Sequence, residues 1–432
     1  MNLGGLSPDK APPVEAPLTL FYLMPFFLGL AGLALAWQGD QVLASRWAPA
    51  ALATTHFLVL GALAPVMCGA LLQMAPVLLG TPYPRVRLVA RLTAAGLGLG
   101  GVLIGGGFLF TRPGLLLSGG FVAIAGLLVF LAGSYRALSV ASGRRETLWA
   151  VRLAALALAV TIALGLTLAM VRYGWLELPQ HLRWIDMHVA WGLAGWIGLL
   201  LAGVGMEIIP LFYITPAFAV RLKRLLPLAL SALLLLVFGL PGFAASLSQS
   251  LWQGLVAALF VVHLLYNANA LYVEQRRQRP RRDANLWLWQ FSHLAVFAAF
   301  FAWVVDVSNS LVGILLLGGA LSFVVGSLMK ILPFLTWLDL QQRRVAGGHM
   351  QVSLPRLRAL LPEGLANAVA LTLGAAMIAT LCGAMVPYLT IPGGILLMAC
   401  AALLAYALAR AAMIRRRVIA QFALPGRCSG GV

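Results

Sequence analysis

The sequence has little charge. Asp, Glu, Lys and Arg make up 10% of its 432 residues, against 62% apolar, too little to cover the surface of a water-soluble chain of this length. Acidic residues are the scarcer sign: 12 Asp and Glu against 30 Lys and Arg, a formal net charge of +18. Cysteine is nearly absent. Cys68, Cys382 and Cys400 lie within apolar runs and Cys428 in the tail, which gives neither a disulfide framework nor metal-type spacing. The first sixteen residues hold Asp9, Lys10 and Glu15 but no basic n-region, so the first apolar run reads as an uncleaved span rather than a signal peptide. No nucleophile motif or phosphate loop stands out.

What the sequence has is long apolar runs, of the roughly 20 residues a helix needs to cross a bilayer. Spans are expected near 17–37, 49–80, 88–111, 114–140, 148–171, 184–216, 223–246, 251–273, 286–306, 308–338, 362–388 and 391–414. The fold class is therefore all-α: one polytopic membrane domain over 1–432 with about twelve transmembrane helices. The third and fourth spans are glycine-rich and separated only by Thr111, Arg112 and Pro113, and the turn around Ser246–Ser250 is short. Glycine suits such helices because it lets backbones approach closely.

The basic residues give an orientation. With the N-terminus inside, the inner segments carry 25 of the 30 Lys and Arg. The outer loops carry only Arg46, Arg112, Arg172 and Arg183, and Lys330 falls within a span. Positive charge stays on the cytoplasmic side, so both termini are expected there, in a bacterial-type inner membrane. The basic loops then face anionic lipid headgroups, and no nucleic-acid partner is needed to explain them.

One pattern occurs three times: Gly61, Gly69 and Pro76 in the second span, Gly195, Gly203 and Pro210 in the sixth, and Gly318, Gly326 and Pro333 in the tenth. Each is Gly-x7-Gly-x6-Pro, four spans after the last. Steps of seven and eight keep the small residues on one helix face, open to a neighbouring helix or a flat cofactor, and the proline lies where a helix bends or stops. The chain divides accordingly into quasi-repeats 17–145, 146–282 and 283–417, each of four helices. Three polar residues share the position three before the proline: Gln73, Glu207 and Lys330. If the repeats pack about a common axis the three meet near the inner leaflet, with Glu207 and Lys330 as an ion pair and Gln73 as its hydrogen-bonding partner.

Twelve helices in three groups of four resemble subunit I of the heme-copper oxidases. The first unit is also similar to the NnrS family, membrane heme proteins of the nitric-oxide response. There a histidine precedes Gly-x7-Gly-x6-Pro by five residues, as His56 precedes Gly61 here. The arginine-containing opening typical of NnrS is absent, the first span reading Met24-Pro25-Phe26-Phe27. The resemblance implies a heme toward the outer side with His56 as ligand and His188, near the outer end of the sixth span, as a further candidate for heme or metal. His263 and His293 lie inside spans, where an ionisable group is a functional candidate by default, and complete the cofactor-binding set. His181 and His349 fall in loops.

Departures from the oxidases are as informative. The tenth span has no histidine, the seventh no His-His pair for copper, and Gly192 stands four residues after His188, where many oxidases carry a cross-linked tyrosine. An oxygen-reducing binuclear centre is not expected. The reading is a heme-copper-oxidase-like membrane protein binding b-type heme, with copper as a further metal, in nitric-oxide or respiratory redox physiology. A respiratory complex or a homo-oligomer would be its partner. The alternatives are a transporter of a small solute or proton, for which repeats and broken helices also speak, and a cofactor-free assembly factor.

Overall fold

A chain this apolar inside lipid must satisfy its backbone within each segment, and helices do so. The computed structural model describes residues 12–80, 82–141, 145–179, 181–238, 248–280 and 282–422, and all regular structure among them is helical. Twelve long helices follow in order: α1 (Glu15–Gln38), α2 (49–79), α3 (Val86–Leu109), α4 (Pro113–Ser139), α5 (Arg145–Tyr173), α6 (His181–Tyr213), α7 (Val220–Phe238), α8 (Gln249–Gln275), α9 (Ala284–Val304), α10 (Asn309–Ala346), α11 (Glu363–Gly383) and α12 (Pro387–Phe422). Single helical turns at Gln41–Ala44 and Leu357–Leu360 lie in connections.

Among the described residues, eleven of these helices are long and apolar enough to cross a membrane, which is the build of a multi-pass membrane protein. The exception is α7. Its 19 described residues begin with Arg221, Lys223 and Arg224, which crowd three charges into a short apolar stretch. The remainder of the expected seventh span and the first two residues of the following turn lie outside the described residues. Two helices run past their expected ends, α10 to Ala346 and α12 to Phe422, and carry Arg343, Arg344, Arg415 and Arg416 on helical extensions rather than loops.

Helix starts follow local chemistry. Pro49 and Pro113 stand at first turns, where the missing N–H costs nothing. Ser248, Asp283 and Ser308 cap α8, α9 and α10 through side-chain oxygens that accept backbone N–H bonds. The glycine-rich α3 and α4 form one of the closest pairs: a Cβ on Gly96 would lie 2.6 Å from Gly126 Cα, and one on Gly107 2.6 Å from the Leu116 nitrogen. The spacing admits no side chain at these crossings.

Short connections make successive helices antiparallel, so the helix ends alternate. Arg415, Arg343, Glu15 and Asp339 tie α12, α10 and α1 together at one end, where Arg224 of α7 also meets Glu146 of α5. This is the basic end. At the far end Arg46, before α2, bonds Asp186 of α6 at 2.8 Å. Side by side, α4 packs on α5, α8 on α9, and α12 returns to α1, so the last helix touches the first.

Candidate functional site

The site begins with two irregular helices. α2 changes from α-helix to π-helix at Phe57–Leu63 and back, and α6 does the same at Trp191–Gly198. Such wide turns are rare and gather at functional sites. His56 is the residue immediately before the first π segment, and His188 stands three residues before the second. α10 touches both segments.

The two histidines are held alike. His56 Nδ1 lies 2.7 Å from the Leu52 carbonyl one turn back, and its ring leans on Phe108 with centroids 5.0 Å apart. His188 Nδ1 lies 3.1 Å from the Thr161 carbonyl of α5. Its ring packs closely on Gly165, where a Cβ would stand 3.0 Å from Cε1. A carbonyl can only accept, so Nδ1 carries the proton in both rings and Nε2 keeps its lone pair. That is the orientation of a histidine prepared to ligate through Nε2, its other nitrogen fixed by an acceptor. The Arg46–Asp186 pair links the starts of the two helices, and the rings fall within electrostatic range of one another. Each ring thus keeps an Nε2 lone pair of the kind that can ligate a metal.

His263, in the middle of α8, packs against the second π segment. A Cβ on Gly198 would stand 2.5 Å from its Cε1, and its Nε2 is buried without a partner. His293 of α9 differs from the other three because both its nitrogens face protein groups: Nδ1 is 2.7 Å from Asn267 Oδ1, and Nε2 is 3.3 Å from Glu274 Oε1. Among the described residues no three of His, Cys, Asp and Glu gather as a metal-holding group.

The expected meeting of Gln73, Glu207 and Lys330 is corrected by the structure. Glu207 Oε1 accepts from Lys223 of α7 at 2.7 Å and from Thr147 of α5 at 2.8 Å. Lys330 donates to Asp283 at the start of α9, with its ammonium 4.9 Å from the Tyr213 ring centre. Gln73 is buried with Oε1 lacking a partner, beside a groove of about 320 Å³ also lined by Pro12, Arg87 and Asp339. The reason lies in helix geometry. Each polar residue is four after a motif glycine and so shares that glycine's face. Gly69 faces Phe21 of α1, Gly203 faces Ala150 of α5, and Gly326 faces Trp289 of α9. Glu207 therefore reaches Thr147 of the preceding helix as well as Lys223 of α7, and Lys330 reaches Asp283 at the start of the preceding helix, rather than each other.

Sequence reasoning also missed the groups these residues pair with. Lys223 and Asp283 look like ordinary loop charges, although an Asp one residue before an apolar run is a helix-start signal. Glu274 gave no signal beyond being an acid at the end of a span. Asp283 takes Lys330 on one oxygen and Tyr213 on the other, and also caps the Leu286 N–H. Burial alone would push its carboxyl up, but the Lys330 ammonium and these three hydrogen bonds together hold it below the ordinary carboxylate value. No protein-family model matches this chain, and no curated protein matches it.

Proposed function

We propose that the chain is a membrane heme protein of heme-copper-oxidase-like plan, holding a b-type heme between His56 and His188 near the far end. The observation that carries this reading is the matched state of the two rings, each with its Nδ1 proton committed to a backbone carbonyl and Nε2 left over. Bound heme would supply an iron able to change oxidation state or take a small ligand such as nitric oxide. The protein's own part is to fix both rings, through Leu52 and Thr161, and to keep them beside π segments that widen their helices.

Twelve spans in three four-helix units belong to the same proposal, and three regularities support it. The motif glycines Gly61, Gly69, Gly195, Gly203 and Gly326 take their nearest contacts from α1, α5 and α9, the first helix of each unit, with Gly318 on Met377 of α11 as the exception among the six. The last helix of each unit packs on the first of the next, around to α12 on α1. Both π segments begin four residues before the first motif glycine, Phe57 before Gly61 and Trp191 before Gly195, whereas α10 stays α-helical. In this arrangement the basic end is cytoplasmic and meets anionic headgroups.

The test is spectroscopic. Protein expressed with ample heme and purified should show a Soret band, which His56→Ala and His188→Ala should each remove or shift. Colourless wild-type protein overturns the reading, and a spectrum unmoved by either substitution overturns the ligand pair.

A further inference from the structure

The bundle contains a second polar site, toward the basic end and apart from His56 and His188. Glu274 is the penultimate residue of α8 and His293 lies in α9; they are 0% and 1% exposed. Neither Glu274 oxygen has a hydrogen-bond donor, and its one close polar neighbour among the described residues is His293 Nε2 at 3.3 Å. An ionised carboxylate buried with no donor is costly, so such a group either takes a proton or faces a cation.

The surrounding bonds decide how many protons are present. Asn267 Nδ2 donates to the His263 carbonyl at 2.8 Å, which fixes the orientation of its amide. Asn267 Oδ1 is therefore the atom 2.7 Å from His293 Nδ1, and Nδ1 must carry a proton to bond it. With Nδ1 protonated, Nε2 of neutral histidine is a lone pair. Nε2 and Oε1 stand 3.3 Å apart without hydrogen-bond alignment and neither has another partner; a bare carboxylate and an imidazole lone pair buried this close repel, so one proton on the pair lowers the cost of burying them. That proton rests on the carboxyl, as an acid beside neutral imidazole, or on the ring, as imidazolium beside carboxylate.

We propose that Glu274 and His293 together form a one-proton binding site, exchanging its proton with water at the basic end past Tyr213 and Asp283. Those two residues lie on the exit side. Tyr213 of α6 donates to Asp283, which is one-third exposed, and its ring meets Trp289, one turn before His293 on α9, with centroids 5.5 Å apart. The other titratable or charged groups around the site are Tyr266 on α8, whose ring meets His293 edge-on at 5.8 Å, Arg277, whose Nη1 donates to the Glu274 carbonyl, and Lys330 on α10, bonded to Asp283. Phe323 packs on the His293 ring and Trp289 on Phe323, and both are buried. The site requires no heme and stands whether or not the heme reading holds.

Infrared and nitrogen-15 histidine spectra of the full-length protein in nanodiscs test this. The expected result is one of two signals. The first is a protonated-carboxyl stretch that shifts in heavy water and disappears in Glu274→Gln. The second is an imidazolium signal that disappears in His293→Gln and reverts to neutral in Glu274→Gln. Glu274→Asp, which keeps the acid, should move the signal rather than abolish it, and covers the case in which the glutamine variant fails to fold. Tyr213→Phe should slow the heavy-water shift several-fold. A wild-type protein with neither signal, its carboxylate ionised and His293 neutral, overturns the site, and an exchange rate unchanged by Tyr213→Phe overturns the route.

Discussion

Replacing Lys223 with methionine removes an ammonium 2.7 Å from Glu207 Oε1, in a place where the two side chains are 12% and 6% exposed. Breaking a buried pair from one side costs about 3–5 kcal/mol. The Thr147 hydroxyl remains on the same oxygen, which puts the expected loss near the lower figure. Glu207→Gln should lose a similar amount, because it leaves the Lys223 ammonium between helices without its acid. The double variant should lose less than the sum, with a coupling of about 1–3 kcal/mol, the range for residues in contact. Reversible unfolding by detergent in bicelles, followed by tryptophan fluorescence, measures all corners of the cycle. A parallel cycle of Glu207→Gln with Lys330→Met is the control, since Lys330 is bonded to Asp283 instead. It should be additive. Additive losses in the Lys223 cycle, or a larger coupling to Lys330, would refute the argument that the face of each polar residue is set by the glycine one turn earlier.

That argument extends to the glycines. Gly61→Ala sets a methyl 1.9 Å from Phe27 Cγ, so it should destabilise by about 1–3 kcal/mol as an overpacked core does, and Phe27→Ala should recover part of the loss in the same unfolding assay. Asp283 makes a pH prediction. Its folded value lies below the ordinary 3.8, so its contribution is present above that value and fades as pH falls through the lower, folded one. Asp283→Asn should therefore narrow the stability difference between pH 5 and pH 3 (roughly the acid-titration range of a carboxylate), and an unchanged difference would count against the Lys330 contact. For orientation, a reporter fused after Arg282 should read cytoplasm and one at Pro179 the outer side; the reverse at either site breaks the span assignment.

Much of the architecture was legible in the sequence because the bilayer imposes a one-dimensional rule. Length and apolarity alone define a crossing helix, and the eleven helices that meet this criterion fall where the runs were read. The helix where the rule fails, α7, is the one whose opening is loaded with Arg221, Lys223 and Arg224. The glycine content of α3 and α4 was visible, but that Gly96, Gly107 and Gly126 stand at the crossing of these two helices comes from the structure. A cap residue such as Asp283 carries a sequence signal, an acid one residue before an apolar run, that the count of basic residues does not use.

Which residues meet was another matter. Spacing along a helix says that Gly203 and Glu207, or Gly326 and Lys330, share a face, but not which neighbour that face meets; the packing of α5 on α6 and of α9 on α10 decides it. The π segments were invisible because one extra residue per turn leaves no mark in a uniformly apolar run. The approach of Glu274 to His293 depends on how α8 and α9 lie together, and the proton proposed there is argued from two hydrogen bonds and one close contact among residues up to 30 positions apart. Sequence determined that this chain crosses the membrane many times, because burial in lipid depends only on composition along one helix. The choice of partners was left to tertiary structure, because a hydrogen bond or ion pair depends on distance and direction between helices, which no single helix encodes.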